Sequence, residues 1–149
     1  MPPVKAKKET YCGRVKQSWH AISRMYNMEA IRHDLTTTVG FILLQINNKN
    51  GVPSTSIGPA IGMEATSLTR TLSQMEQKGL IVRKKDKSDA RRVLIQLTEK
   101  GKVKRDISRK AVKSFNEEVE KQIGSSKLKI FNEVIEKINS IAAVRKPLL

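Results

Sequence analysis

The chain has 149 residues and a net charge of +15, with 29 Lys and Arg against 14 Asp and Glu; that length can bury a core without staples. One cysteine excludes an intrachain disulfide framework and a Cys-based zinc site. No apolar run approaches the roughly 20 residues that span a bilayer, and the basic start MPPVKAKKET lacks a signal-peptide core. A soluble cytoplasmic protein is therefore expected, and so much positive charge favours nucleic acid as its partner over ribosomal RNA or an anionic membrane. Aromatic residues make up only 4%, which argues against single-strand binding by base stacking.

In chain order, residues 1–10 carry Lys5, Lys7 and Lys8 without an apolar pattern and read as a flexible basic arm. Residues 11–35 hold an amphipathic helix over Val15 to Ile31, in which Val15, Trp19, Ile22 and Tyr26 share a face. Trp19 is expected in the core or at a subunit interface. His20 and His33 have no second ligand or nucleophile near them in sequence and read as surface histidines.

A winged, DNA-binding segment is expected over residues 36–100. Val39 to Ile46 is apolar almost all round; its length alone does not separate strand from helix. Thr36-Thr37-Thr38 before it and Asn47-Asn48 after it fit capping and termination, so it is read as a central helix buried on every side. Lys49-Asn50-Gly51 reads as a turn and Val52 as a brief edge strand. Ser54 or Ser56 is expected to cap the next helix. Ser56 is preferred, because Pro59 would then fall in the first turn, where its missing N–H costs little. Ile57 and Ile61 are expected to point inward and Gly58 to permit close helix crossing. Gly62 supplies a left-handed turn.

The following helix, Glu64 to Lys78, places Leu68, Leu72 and Met75 on one face and stops at Gly79. Thr66, Ser67, Thr69, Arg70 and Ser73 fall on its other faces. That surface is short and hydroxylated, carries one Arg, and has no carboxylate between Glu64 and Glu76. Such a face can enter a major groove, where acidic groups would be repelled by phosphate. Two β-prone runs, Leu80 to Val82 and Val93 to Leu97, then flank a charged stretch from Arg83 to Arg92 with six cations and two carboxylates. This is read as a basic hairpin reaching along a DNA backbone.

Residues 101–149 are expected to form dimerisation helices. Thr98 caps a long helix through Gln122 or Ile123, with Val103, Ile107, Ala111, Phe115, Val119 and Ile123 in one stripe. Gly101 is expected to weaken its first turn by about 1 kcal/mol relative to Ala. After Gly124-Ser125-Ser126, a last helix carries Leu128, Phe131, Ile135, Ile138 and Ala142, widened by Ile130, Val134 and Ile141. So much apolar surface is expected to meet a second copy of the chain.

The order helix, helix, turn, helix, basic hairpin ending in Leu97-Thr98-Glu99-Lys100-Gly101, then two helices resembles the MarR family of bacterial transcription regulators. The matching motif runs from Ile57 to Gly101. It includes Ile61-Gly62-Met63, Leu68-Thr69-Arg70, Glu76-Gln77-Lys78-Gly79-Leu80 and Asp89-x-Arg91. The resemblance implies a mainly α fold with a small β hairpin, a winged helix-turn-helix domain between N- and C-terminal dimerisation helices. It implies a homodimeric regulator, a repressor by this reading, that is bound to a palindromic double-stranded operator and released by a small aromatic ligand. Thr66, Ser67, Thr69 and Arg70 match recognition-helix contacts, Arg91 the wing arginine and Asp89 the acid that orients it. Lys84, Lys85, Lys87 and Arg92 are assigned to phosphate. An effector would sit where the first, second and fifth helices join.

Cys12 and Tyr26 resemble the peroxide-sensing branch, in which tyrosine hydroxyls hold a cysteine thiolate; Thr37 stands where that branch carries a second tyrosine. An unremarkable thiol is the alternative, and a non-specific basic nucleic-acid-binding protein is the alternative for the whole chain. No enzyme is expected, since no Gly-rich phosphate loop appears and no nucleophile has a visible base. No cofactor, metal or membrane contact is expected either.

Overall fold

The computed structural model describes residues 10–47, 49–89 and 91–145. The chain divides into two compact units, Met1–Ala111 and Val112–Leu149. The element order is α1 (Tyr11–Ile31), α2 (Thr37–Gln45), β1 (Val52–Pro53), α3 (Ser54–Ile61), α4 (Ala65–Gln77), β2 (Ile81–Lys85), β3 (Val93–Leu97), α5 (Glu99–Ile123) and α6 (Ser125–Val144). The fold is mostly helical with one small antiparallel sheet, ordered β1-β3-β2, as the resemblance implies. Residues 1–9 of the expected arm, and Asn48 of the expected terminator, lie outside the described residues.

α1 begins earlier than its apolar pattern suggests, because Thr10 caps it by accepting from the Gly13 N–H at 3.1 Å. None of its residues is buried, and Trp19 stays half exposed. Trp19 stacks on Phe41 at 6.2 Å between ring centroids, and Tyr26 meets the same ring edge-on at 5.8 Å. α2 forms as its flanks imply, with Thr36 accepting from the Val39 N–H at 3.2 Å. Ile42, Leu43 and Ile46 are fully buried, but Phe41 and Leu44 are only partly covered. The expectation of burial on every side is thus corrected: the α1-facing side of α2 is an aromatic contact, half open to solvent.

The α3 cap also differs from expectation. Neither serine caps it; Pro53 occupies the N-cap position without a side-chain bond, and the Ser56 hydroxyl donates back to the Pro53 carbonyl at 2.8 Å. Pro59 therefore lies inside the helix and removes an internal bond. Gly58 faces the next helix as expected, with Leu68 Cδ2 of α4 3.5 Å from a would-be Cβ, and meets the turn more closely still. A Cβ there would stand 2.8 Å from the Met63 carbonyl oxygen, whose own N–H donates to the Gly58 carbonyl at 2.9 Å.

The core of the first unit joins Ile42 and Leu43 of α2, Ile46 just after it, Ile57 of α3, Leu68, Leu72 and Met75 of α4, and Ile81, Ile95 and Leu97 of the sheet. Burying each large side chain contributes roughly 1.5–3 kcal/mol, so the three α4 residues fix that helix's rotation about its axis. The inner face of α5 near its start differs from the expected apolar stripe. Val103 on the apolar stripe is 61% exposed, while Gly101 and Arg105 are buried and Ser108 lies against Gly40. Those three inward positions are small or polar, so no hydrophobic period marks them. In the second unit α6 buries none of its residues, and Phe131 is 57% exposed. Among the described residues, no helix is long and apolar enough to cross a membrane.

Candidate nucleic-acid interface

α3 ends at Gly62, whose φ of 66° and ψ of 34° place it in the left-handed region that a tight turn between two helices requires. α4 follows two residues later. Since Leu68, Leu72 and Met75 face the core, Thr66, Ser67, Thr69 and Arg70 are left exposed. Thr66, Thr69 and Arg70 lie three and four apart and form one outward stripe about 6 Å long, short enough for a major groove about 12 Å wide. The Thr69 hydroxyl donates to the Ala65 carbonyl at 2.9 Å, which leaves its oxygen lone pairs and methyl facing outward.

Ser73, expected among the DNA contacts, is already engaged within the chain. It is half-buried, donates to the Thr69 carbonyl at 3.1 Å and accepts from Arg83 Nη2 of β2 at 3.1 Å. Arg83 Nε also stands 3.4 Å from the Glu76 carboxylate. Arg83 thus braces α4 against the sheet and neutralises the acid nearest the end of the stripe. Its cation could be counted from the sequence, but the partner ten residues back could not be read there.

The hairpin is longer in strand than the sequence reading allows. Arg83, Lys84 and Lys85 belong to β2 rather than to the tip. Lys84 pairs with Leu94 and Lys85 with Val93, so alternation puts the two lysines on opposite faces of the sheet. Lys85 shares the α4 side with Arg83. Lys84 faces away, and both lysines border a shallow cleft with Lys49, Lys87, Arg92 and Leu94. Two carboxylates organise the tip. Asp86 accepts from the Ser88 N–H at 2.9 Å and its hydroxyl at 2.7 Å, which holds the Asp86 carboxyl below its ordinary range, helped by Arg92 at 3.8 Å. Arg92, assigned to phosphate from the sequence, is therefore already paired. Asp89 accepts from the Arg91 backbone N–H at 3.0 Å, not from its guanidinium. Arg70, Lys84, Lys85, Lys87 and Arg91 form no ion pair among the described residues. Ala90, between Asp89 and Arg91, lies outside them.

Cys12 is exposed in the first turn of α1 with the Thr10 hydroxyl 3.4 Å from its sulfur, and that hydroxyl, which can turn its proton to the thiolate, holds the thiol below its ordinary pKa. Tyr26 lies fourteen residues further along the same helix, about 21 Å away, so it does not hold the cysteine of its own chain. Burial raises the Tyr26 hydroxyl.

A turn-linked helix pair, an exposed second helix and a basic antiparallel hairpin define a winged helix-turn-helix protein. Residues 35–93 match the MarR family model. Over 97 residues the chain is 32% identical to the HTH-type transcriptional regulator SarZ of Staphylococcus aureus, covering 64% of this chain and 66% of that protein, just under two thirds. Across residues 35–93 the chain is thus similar to the MarR family of transcription regulators. In fold it is similar to MepR of S. aureus in a MepR–DNA complex, with a TM-score of 0.80 at 20% identity over 88% of this chain and 97% of that one. It is similar also to the transcriptional regulator SlyA, with a TM-score of 0.78 at 20% identity over 89% of this chain and 94% of that one.

Proposed function

We propose that the protein is a sequence-specific double-stranded-DNA-binding repressor that acts as a homodimer on a palindromic operator. The observation that carries this reading is the exposed, carboxylate-free stripe of Thr66, Thr69 and Arg70 on α4, held with its apolar side in the core and flanked by Lys84, Lys85, Lys87 and Arg91 of the hairpin, which form no ion pair among the described residues. Arg70 can take guanine O6 and N7 together, Arg91 reaches the adjacent minor groove, and Lys85 and Lys87 meet phosphate. The MepR–DNA complex is a fold relative on the same kind of partner. For the dimer, the support is the apolar surface left open on one chain at Ile123, Ile130, Phe131, Val134 and Ile141. Two copies would place one α4 each in successive major grooves, about 34 Å apart. Selection of bound duplexes from a random pool tests this: a recovered palindrome supports it, whereas a pool that stays random identifies a non-specific basic protein.

A second mode of control is supported by the exposed, acid-shifted thiol of Cys12: oxidation releases the DNA. Any tyrosine hydroxyl holding the thiolate would then come from the other chain of the dimer. If Cys12 acts this way, Cys12→Ser stays on DNA under peroxide; equal release of both proteins removes this mode. The rings of Trp19, Tyr26 and Phe41, gathered where α1 meets α2, support release by a small aromatic molecule.

A further inference from the structure

We propose that Thr98, Lys100 and Gly101, at the entry to α5, are positioning residues that set the angle at which α4 meets DNA. The inference rests on the reading of α4 as the groove helix. The backbone N–H groups of Lys78, Gly79 and Leu80 close the end of α4 on Gln74, Glu76 and Met75, and the three successive carbonyls of that exit, Lys78 to Leu80, are taken by this short segment. Lys100 Nζ donates to the Lys78 carbonyl at 2.9 Å. The Thr98 hydroxyl donates to the Gly79 carbonyl at 2.6 Å, and the Thr98 N–H to the Leu80 carbonyl at 3.1 Å. The Gly101 backbone lies so close to that last carbonyl oxygen that a Cβ at Gly101 would overlap it.

The same Thr98 oxygen accepts from the Gly101 N–H at 3.0 Å and so caps α5. One hydroxyl thus starts α5 while gripping the exit of α4. One turn further on, Lys104 Nζ donates to the His33 carbonyl just beyond α1. Lysines four apart on α5 thereby reach the carbonyl ends of two different helices.

At the opposite end of α4, Glu64 at the N-cap makes no side-chain cap bond, and Leu68 in the core is the first anchor. The DNA-facing stripe begins there, at Thr66. Twelve residues separate Thr66 from Lys78, roughly 18 Å of helix, so a tilt of about 5° at the grip displaces Thr66 by about 1.5 Å. Base-edge hydrogen bonds span only a few tenths of an ångström of good geometry. Contacts at the exit of α4 therefore govern whether Thr66 and Arg70 align with a base edge. Phosphate contacts on the flexible lysines tolerate the same tilt. Loss of the grip lowers discrimination more than total affinity.

The test uses the full chain and two probes, the duplex recovered by selection and a scrambled duplex of equal composition, with affinities measured by anisotropy at one salt concentration and thermal unfolding recorded in parallel. Thr98→Val is expected to lower the ratio of selected to scrambled affinity at least 10-fold, with Thr98→Ser restoring it to within twofold. Should Thr98→Val not fold, Lys100→Met is the second variant, expected to lower the ratio at least threefold, with Lys100→Arg restoring it. An equal loss on both duplexes would make Lys100 a phosphate contact and overturn the proposal. An unchanged ratio in a folded Thr98→Val protein would make the grip purely structural and overturn it too. Arg70→Ala separates the two levels. If it collapses the ratio while the grip variants do not, only this inference fails. If it leaves the ratio intact, α4 is not the reader and the grip has nothing to aim.

Discussion

Asp89 offers a sharp test of the wing, because the family resemblance and the structure give it different jobs. The resemblance makes it an acid that orients the Arg91 side chain. In the structure its Oδ1 accepts from the Arg91 backbone N–H, and the Asp89 carbonyl accepts from the Arg92 N–H at 2.9 Å. An amide oxygen can replace the carboxylate in that bond. Asp89→Asn therefore keeps the turn and removes one negative charge beside the DNA. Asp89→Ala removes the bond as well. An exposed hydrogen bond of this kind is worth about 1 kcal/mol net, and that energy corresponds to roughly fivefold in affinity. Asp89→Ala is expected to bind operator about fivefold more weakly than Asp89→Asn. The Asn variant should match or slightly exceed the parent, more so at low salt. Anisotropy titrations of a labelled duplex at two salt concentrations read both effects. An Asn variant as weak as the Ala variant would refute the backbone role and return Asp89 to the guanidinium.

Gly62→Ala meets open space, since nothing lies within 4 Å of its would-be Cβ. Its cost is backbone strain alone, about 1–2 kcal/mol, measurable by urea unfolding; a loss beyond about 4 kcal/mol would mean a packing role unseen here. Met75→Ala empties a fully buried site between α4 and the sheet and is expected to cost about 2–5 kcal/mol, a range that a near-neutral urea midpoint would contradict. Arg70→Ala should flatten preference at one base position per half-site by about 1–3 kcal/mol, whereas uniform loss at every position would make it a phosphate contact. For Cys12 the sign follows from its lowered pKa: the thiolate exists at lower pH than in a free cysteine. Alkylation should reach its half-maximal rate below the free-thiol midpoint, and Thr10→Ala should move that midpoint upward; an unmoved midpoint would dismiss the hydroxyl as its cause.

The helices and hairpin were legible in the sequence where period and punctuation agree. Leu68, Leu72 and Met75 recur at helical spacing, Gly62 and Gly79 bracket their helix, and both observations survive in the structure. The hidden parts were those in which polar or small groups meet backbone at a distance. Gly101 looks like a weak point in a helix until the Leu80 carbonyl is seen against it. Arg105 is buried while Val103, two residues before it on the apolar stripe, is exposed, so the apolar period alone does not mark the inner face there. Ser73 reads as a groove contact from its helical position alone, and only the folded hairpin brings Arg83 to it. Pro59 misled the cap assignment because α3 starts directly from β1, so the chain enters the helix without a serine cap.

The central claim is that α4 and the basic hairpin read the sequence of a duplex and do more than adhere to its charge. Competition at a single fixed salt concentration measures that directly: the duplex recovered by selection is bound by the full chain and challenged with random duplex. The account predicts that roughly 10³-fold or more random duplex is needed to displace the protein. Displacement by an equal amount would show a chain that responds to phosphate alone, and would contradict it.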